Sequence, residues 1–466
     1  MGVVSKRASS MRGVVRFAVS ALWIASVIFA RAQQPAPVPQ QEPGQGAQVH
    51  TGHASGIDAT GRMRTLLEDH EYFRMADELD SLSPAQLPAE QAQLYRGVLA
   101  NRNNDLKKSV ELLEPLVEKV TASGDKEQEK LLRKTLAEDY LREGELLKAA
   151  KAYEELSGRF WGKLTDAEQN DIEMPLKLLP LAVDHPVMTV EPCEPFTMQV
   201  SRNRLGLTDV PVFVDARPHR WLLDPTAPFN LIARSVAREV GLPVSDEGAT
   251  IHTLTGKPMT VHATLIPRIT IGGRLTLRNM TAFVFEDKDY FEVQGVLGFP
   301  AVSALGSLTI TQNATIEVHS TKEPDAAAKD GTQTGARFFL DGEQLIVALG
   351  AVGSERMFAV DASGQQSYLT SRYYSEHSKS FSGKTELFTV PGIEKLSAQP
   401  AYMAETVPLA VGATRVDAHF LEVLTAPLGH AAIDDVYGVL GVDWLDQLES
   451  YTFDYRTMRF RVKNGE

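Results

Sequence analysis

The C-terminal half of the chain repeats itself, and this constrains the fold more than any other feature. Four landmarks occur twice in the same order. An apolar run ends in an aspartate followed by small and hydroxyl residues at Arg220-Trp-Leu-Leu-Asp224-Pro-Thr-Ala227, and again at Arg356-Met-Phe-Ala-Val-Asp361-Ala-Ser-Gly364. A short helical stretch follows each, at 232–241 and at 370–377. Ile266-Pro267 to Gly272 then matches Val407-Pro408 to Gly412, and Gln294-Gly-Val-Leu-Gly298 matches Tyr437-Gly-Val-Leu-Gly441. The aspartates stand 137 residues apart, the middle glycines 140 and the last glycines 143. Each landmark alone is weak, but offsets this steady over four of them are hard to obtain by chance.

Both copies are β-rich. Val, Ile, Thr and Phe recur at every second position, as in Thr260–Ile266, 268–271 and 283–285, and Gly272-Gly273 marks a hairpin turn. The first copy is expected over 183–320 and the second over 336–466. The polar, small-residue stretch 321–335 reads as a linker between them.

Before Pro180 the period is helical. Over 59–178 apolar residues recur at three- and four-residue spacing among Ala, Leu, Glu and Lys. Polar turns at Asp69-His70, Asn103-Asn104 and Glu143-Gly144 separate paired helices, with a period near 34. The pattern resembles degenerate tetratricopeptide repeats, and a plain array of helical hairpins accounts for it nearly as well. Stacked helix pairs offer a concave face for a peptide or protein partner. This stack is expected to be separate from the β region and joined to it near Leu179–Pro186, with the strands pairing among themselves.

The first residues read as a targeting signal. Lys6, Arg7, Arg12 and Arg16 precede an uncharged apolar run, 17–30, and Ala30-Arg31-Ala32 fits small-x-small cleavage, so 1–32 is expected to be removed. An uncleaved signal anchor is the alternative. The expected location is the periplasm or the exterior, with no membrane span after cleavage. Residues 33–58, rich in Gln, Pro and Gly, read as a flexible linker. Cys193 is the single cysteine, so no internal disulfide forms, and it reads as a small hydrophobe. The net charge of −13 disfavours nucleic acid and anionic membrane as partners.

The repeated unit resembles the retropepsin-like aspartic peptidases over roughly 212–462. The family's pattern is an apolar strand ending in Asp, Thr or Ser, Gly, then a flap hairpin, then an apolar-apolar-Gly strand under the aspartate loop. Gly295-Val-Leu-Gly298 and Gly438-Val-Leu-Gly441-Val-Asp-Trp-Leu445 are the strongest matches, the second running into Tyr451-Thr-Phe-Asp-Tyr. Two copies in one chain imply a pepsin-like, all-β bilobal domain and a monomer. The resemblance implies Asp224 and Asp361 as catalytic residues and a peptide substrate between the lobes. The chemistry uses neither metal nor cofactor: two close carboxylates share a proton, one activates water, the other protonates the scissile carbonyl. Flap hairpins are expected at 251–261, turning at Thr255-Gly256-Lys257, and around 389–404.

Both aspartate loops depart from the family. Pro225 and Ala362 stand where Thr or Ser is usual, and Thr226 and Ser363 where Gly is usual. Pro225 removes a backbone donor. Two readings remain open: an active site in which Thr226 and Ser363 take over the hydroxyl role, or a peptide-binding scaffold without hydrolysis. Asp443 lies in a strong motif, but Pro300 is its counterpart. It is expected to stabilise a helix start.

Overall fold

The computed structural model describes residues 59–464 apart from 84, 205, 253–257, 289–292, 320–334, 343, 351–354, 362–365, 389–398 and 429–430. The expected signal segment, the linker 33–58 and the flap turn at Thr255 lie outside the described residues, as does all but Gly335 of the linker 321–335.

Eight helices open the described chain: α1 Ala59–Glu68, α2 Tyr72–Ser81, α3 Ala89–Arg102, α4 Leu106–Leu113, α5 Val117–Ser123, α6 Lys126–Glu143, α7 Leu146–Phe160 and α8 Asp166–Leu178. The three polar turns each hold a left-handed residue: His70 (φ 56°), Asn104 (φ 56°) and Gly144 (φ 76°). The chain reverses there because these residue types are among those that enter that region most readily. Side chains cap the helices that follow turns. Asp105 accepts from the Lys108 N–H and Asp125 from the Gln128 N–H. A reciprocal Thr165–Glu168 box starts α8.

The helical stack is not separate from the strands. Met63, Tyr72, Phe73, Met75, Leu94 and Val98 share one buried core with Phe339, Ile346, Met357, Ala359, Tyr368 and Val439. The Phe339 ring lies 4.5 Å from Phe73 and 5.0 Å from Tyr72. Ala149, Tyr153, Leu156 and Phe160 of α7 join a second core that runs through both strand units. Ion pairs fasten the same seam: His70–Asp341 at 2.9 Å, Arg102–Asp341 at 3.4 Å, Arg337–Asp77 at 2.6 Å and Arg372–Glu71 at 2.5 Å. The expectation of a free-standing stack fails for a physical reason. Each helix has one apolar face, and here that face finds its partner on the outer side of the sheet.

The strand units share one pairing pattern. In the first, Thr208–Val214 and Arg217–Leu223 form a hairpin that leads to Asp224. Gly295–Leu297 runs parallel to Arg217–Leu223 and antiparallel to Asn230–Ala233. Asn230–Ala233 lies parallel to Leu275–Phe285, the hairpin partner of Pro258–Ile271. In the second, Gln344–Leu349 and Arg356–Val360 form the hairpin that leads to Asp361. Gly438–Leu440 is parallel to Arg356–Val360 and antiparallel to Tyr368–Leu369. Tyr368–Leu369 is parallel to Thr414–Leu424, the partner of Gln399–Val411.

The units meet where Ser307–Thr311 pairs antiparallel with Leu448–Asp454. Each of these has a hairpin neighbour, Thr315–Val318 and Arg459–Asn464, and beyond it Phe196–Gln199 and Ala336–Asp341. The six strands have the same order read from either end. At the centre Thr309 faces Thr452, hydroxyl to hydroxyl at 2.7 Å.

Candidate functional site: two buried aspartates at strand ends

Each aspartate follows the last residue of a strand whose neighbour is a Gly-Val-Leu strand. The Asp224 N–H donates to the Leu297 carbonyl at 3.1 Å, and the Asp361 N–H to the Leu440 carbonyl at 2.9 Å. The glycines of the neighbouring motif permit this close approach. A Cβ on Gly295 would lie 2.4 Å from the Trp221 ring, and one on Gly298 only 2.3 Å from the Phe229 carbonyl oxygen. One on Gly438 would lie 2.8 Å from the Tyr368 carbonyl oxygen. No side chain larger than hydrogen fits without moving backbone.

Both aspartates are buried, Asp224 at 2% exposure and Asp361 at 4%. The Asp224 Oδ1 accepts twice from Thr226, from its N–H at 2.9 Å and its hydroxyl at 2.6 Å. Thr226 therefore provides both the backbone donor and the hydroxyl, and its side chain does not obstruct the loop. Burial pushes the Asp224 carboxyl above the usual range, against the opposing pull of the Thr226 and Ala227 donors.

The second unit contributes to the surroundings of Asp224. The Tyr455 N–H donates to the Gly306 carbonyl at 2.9 Å, and its ring meets Phe299 edge-on at 5.9 Å. Burial, then the charge of Asp224, raises the Tyr455 phenol, whose oxygen has no hydrogen-bond partner among the described residues. On the other side, burial and then Asp361 raise the phenol of the buried Tyr368. Ser363 lies outside the described residues.

Behind each aspartate the first N–H after the Gly-Val-Leu strand is held by a side chain. In the first unit the Gly298 N–H donates to Asn230 Oδ1 at 3.1 Å, and Asn230 Nδ2 donates to the Thr281 carbonyl at 3.2 Å. In the second the Gly441 N–H donates to Ser367 Oγ at 2.8 Å, and that hydroxyl donates to Asp443 at 2.5 Å. Asp443 also accepts the Ser367 N–H at 3.0 Å and the Trp444 N–H at 2.8 Å, at the start of the helix Val442–Leu445. Sequence reasoning placed Asp443 at a helix start but missed Asn230 and Ser367. Their signal was a shared position, one residue before the strand residues that face Val296 and Val439.

Residues 210–301 match the family model described as aspartyl protease. That span starts in the hairpin before Asp224 and ends just beyond Gly298, so it holds the first aspartate loop and its glycine strand. The match supports an aspartic-protease family for this segment. Among solved structures, a retropepsin-like aspartic protease from Rickettsia conorii is similar at 14% identity and a TM-score of 0.20, covering 29% of this chain and 96% of that one. No curated protein matches the chain. Among the described residues, no group of three or more His, Cys, Asp or Glu is placed to hold a metal, and no helix is long and apolar enough to cross a membrane.

Proposed function

We propose that the chain is an exported aspartic endopeptidase with two duplicated lobes, 183–320 and 336–466, and that Asp224 and Asp361 act together as one acid–base pair. The register at the junction of the units carries this reading. Thr309 and Thr452 face each other and are 143 residues apart, the offset that separates Gly295 from Gly438. Leu308 faces Phe453 and Ile310 faces Tyr451, so advancing by that same offset exchanges one pair for the other. This is the pattern of an isologous contact about a two-fold axis. In this reading the same axis would relate the strand ending at Asp224 to the strand ending at Asp361.

In this mechanism the two carboxylates share one proton, because both cannot ionise side by side. The ionised oxygen takes a proton from water, and the water attacks the peptide carbonyl. The protonated carboxyl donates to the carbonyl oxygen. Thr226 fixes Asp224 through Oδ1. The hairpin strands Val244–His252 and Pro258–Ile271 on one side, and Glu386–Phe388 and Gln399–Val411 on the other, flank the expected flaps over a bound peptide. The helices, read as tetratricopeptide-like repeats, would bind a partner protein. The basic start and apolar run of the first residues support export.

The test is cleavage of a diverse peptide library by mature protein from acidic to neutral pH. Asp224→Asn and Asp361→Asn should each abolish hydrolysis while peptide binding persists, since an amide keeps the carboxylate's shape but exchanges no proton. Cleavage that survives in either variant moves the chemistry elsewhere. Saturable binding without cleavage in the parent protein makes the chain a peptide-binding scaffold.

A further inference from the structure

A cleft of about 300 Å³ lies between the end of α6, the connector after α8 and the loop that follows Thr226. Leu146, Leu179, Met188, Phe229 and Phe283 make its walls largely apolar. Polar side chains interrupt them, among them Arg142 from the last turn of α6 and Asn104 from the left-handed turn between α3 and α4, beside Glu143, Asn230, Thr281 and Ser303.

Arg142 Nη1 and Asn104 Oδ1 are both buried, and neither has a hydrogen-bond partner among the described residues. A buried guanidinium nitrogen without a partner costs far more than a satisfied one. The acids that face Arg142 electrostatically are Glu138 and Asp139, on its own helix. Both are engaged elsewhere. Glu138 pairs with Arg102 at 3.0 Å, and Asp139 accepts from Asn101 at 2.7 Å and from Ser109 at 2.6 Å. The protein thus leaves a cationic donor and a neutral acceptor in an apolar cleft without using either.

We infer that this cleft binds the C-terminus of a peptide that ends in an apolar residue, with the carboxylate on Arg142 and the last N–H on Asn104. A C-terminal residue combines a negatively charged acceptor, one N–H donor and an apolar side chain within a few bonds. The cleft offers the complement of each. Glu143 on the wall disfavours a ligand of higher negative charge. The site does not require that the aspartates be catalytic. It touches the aspartate loop nonetheless, because Phe229 and Asn230 form part of the wall and Asn230 holds the Gly298 N–H.

The probes are N-acetyl-leucine and its amide, titrated against the full mature chain by calorimetry or ligand-observed NMR. The acid should bind saturably, and the amide about tenfold more weakly, as expected for loss of a charge-assisted hydrogen bond. Arg142→Gln should weaken the acid by about tenfold and bring it level with the amide. Val187 lines the mouth and is exposed, so Val187→Glu tests the site without disturbing a core. It should weaken the acid and spare the amide, and it decides the matter alone if Arg142→Gln does not fold. Equal binding of acid and amide, no saturable binding of the acid, or acid binding unchanged in Val187→Glu would each overturn the proposal and leave a solvent-filled cleft.

Discussion

The two aspartates sit in the same backbone hydrogen-bond plan, but different side chains hold it. In both, an aspartate N–H bonds to a Gly-Val-Leu strand, and the N–H after that strand is held from the chain beyond the loop. Around Asp224 the holder is Asn230, whose other end reaches the neighbouring strand at Thr281. Around Asp361 it is Ser367, whose hydroxyl is fastened to an acid at a helix start. An amide can bridge two backbone groups by itself. A hydroxyl has one proton and needs an acceptor behind it. Asp443 therefore needs no acidic counterpart in the first unit, where Pro300 occupies its position. The two units thus meet the same hydrogen-bond demand with different residues.

The outer covers also differ. Helices α1 to α4 bury their apolar faces against the second unit. Deleting 59–123 should therefore have the largest effect. It would expose Phe339, Ile346, Met357 and Ala359 together, and the second unit should lose cooperative unfolding in a denaturant melt while the first keeps more protected amides. Equal survival of both units would remove this asymmetry.

The glycine substitutions come next. Gly298→Ala should cost about 3 kcal/mol, because its Cβ meets rigid backbone at Phe229. Gly438→Ala should cost about 2 kcal/mol, since its tightest contact is longer and a second lies on the movable Leu369 side chain. Chemical denaturation of both variants ranks them, and the reverse order would show the second loop to be the stiffer.

Ser367→Ala and Asn230→Ala each strand a buried glycine N–H and should cost about 1–3 kcal/mol. Ser367→Ala should cost more, because the second donor it removes serves the Asp443 carboxylate, whereas the one lost in Asn230→Ala serves a neutral carbonyl at Thr281. Thr226→Val is milder for stability. It removes the hydroxyl donor and keeps the N–H, so the Asp224 carboxyl should rise further and the acid limb of any pH–rate profile should move to higher pH. Thr226→Ser should leave that limb in place, and a limb that ignores both changes would detach Thr226 from the titrating group.

The smallest effect concerns the seam. The hydrogen bond that the His70 ring donates to Asp341 raises the His70 pKa above its ordinary value, against the lowering effect of burial. The folded state therefore binds this proton more tightly than the unfolded chain. The stabilisation is full below about pH 6 and is lost as pH rises through the raised value. The gap in melting temperature between the parent and His70→Asn should shrink between about pH 6 and 8. A gap that widens over that window would mean the pair is not charged in the folded protein.

The sequence by itself determined what short-range rules encode. The helical and alternating periods separate the two regions, and the turns at His70, Asn104 and Gly144 can be read from residues that tolerate left-handed backbone. The repeated landmarks, with an aspartate after each apolar strand, follow from the same local logic, because a glycine strand is needed wherever backbones crowd. Only the tertiary structure decided what depends on partners far along the chain. Whether Thr226 blocks or serves Asp224 turned on one loop geometry. The residues that hold the Gly298 and Gly441 amides, the helix faces pressed against Phe339, and the Arg142 Nη1 left without a partner among the described residues all depend on neighbours tens to hundreds of residues away. Such pairings leave no period in the sequence, because burial and hydrogen-bond satisfaction belong to the assembled fold and not to any one segment.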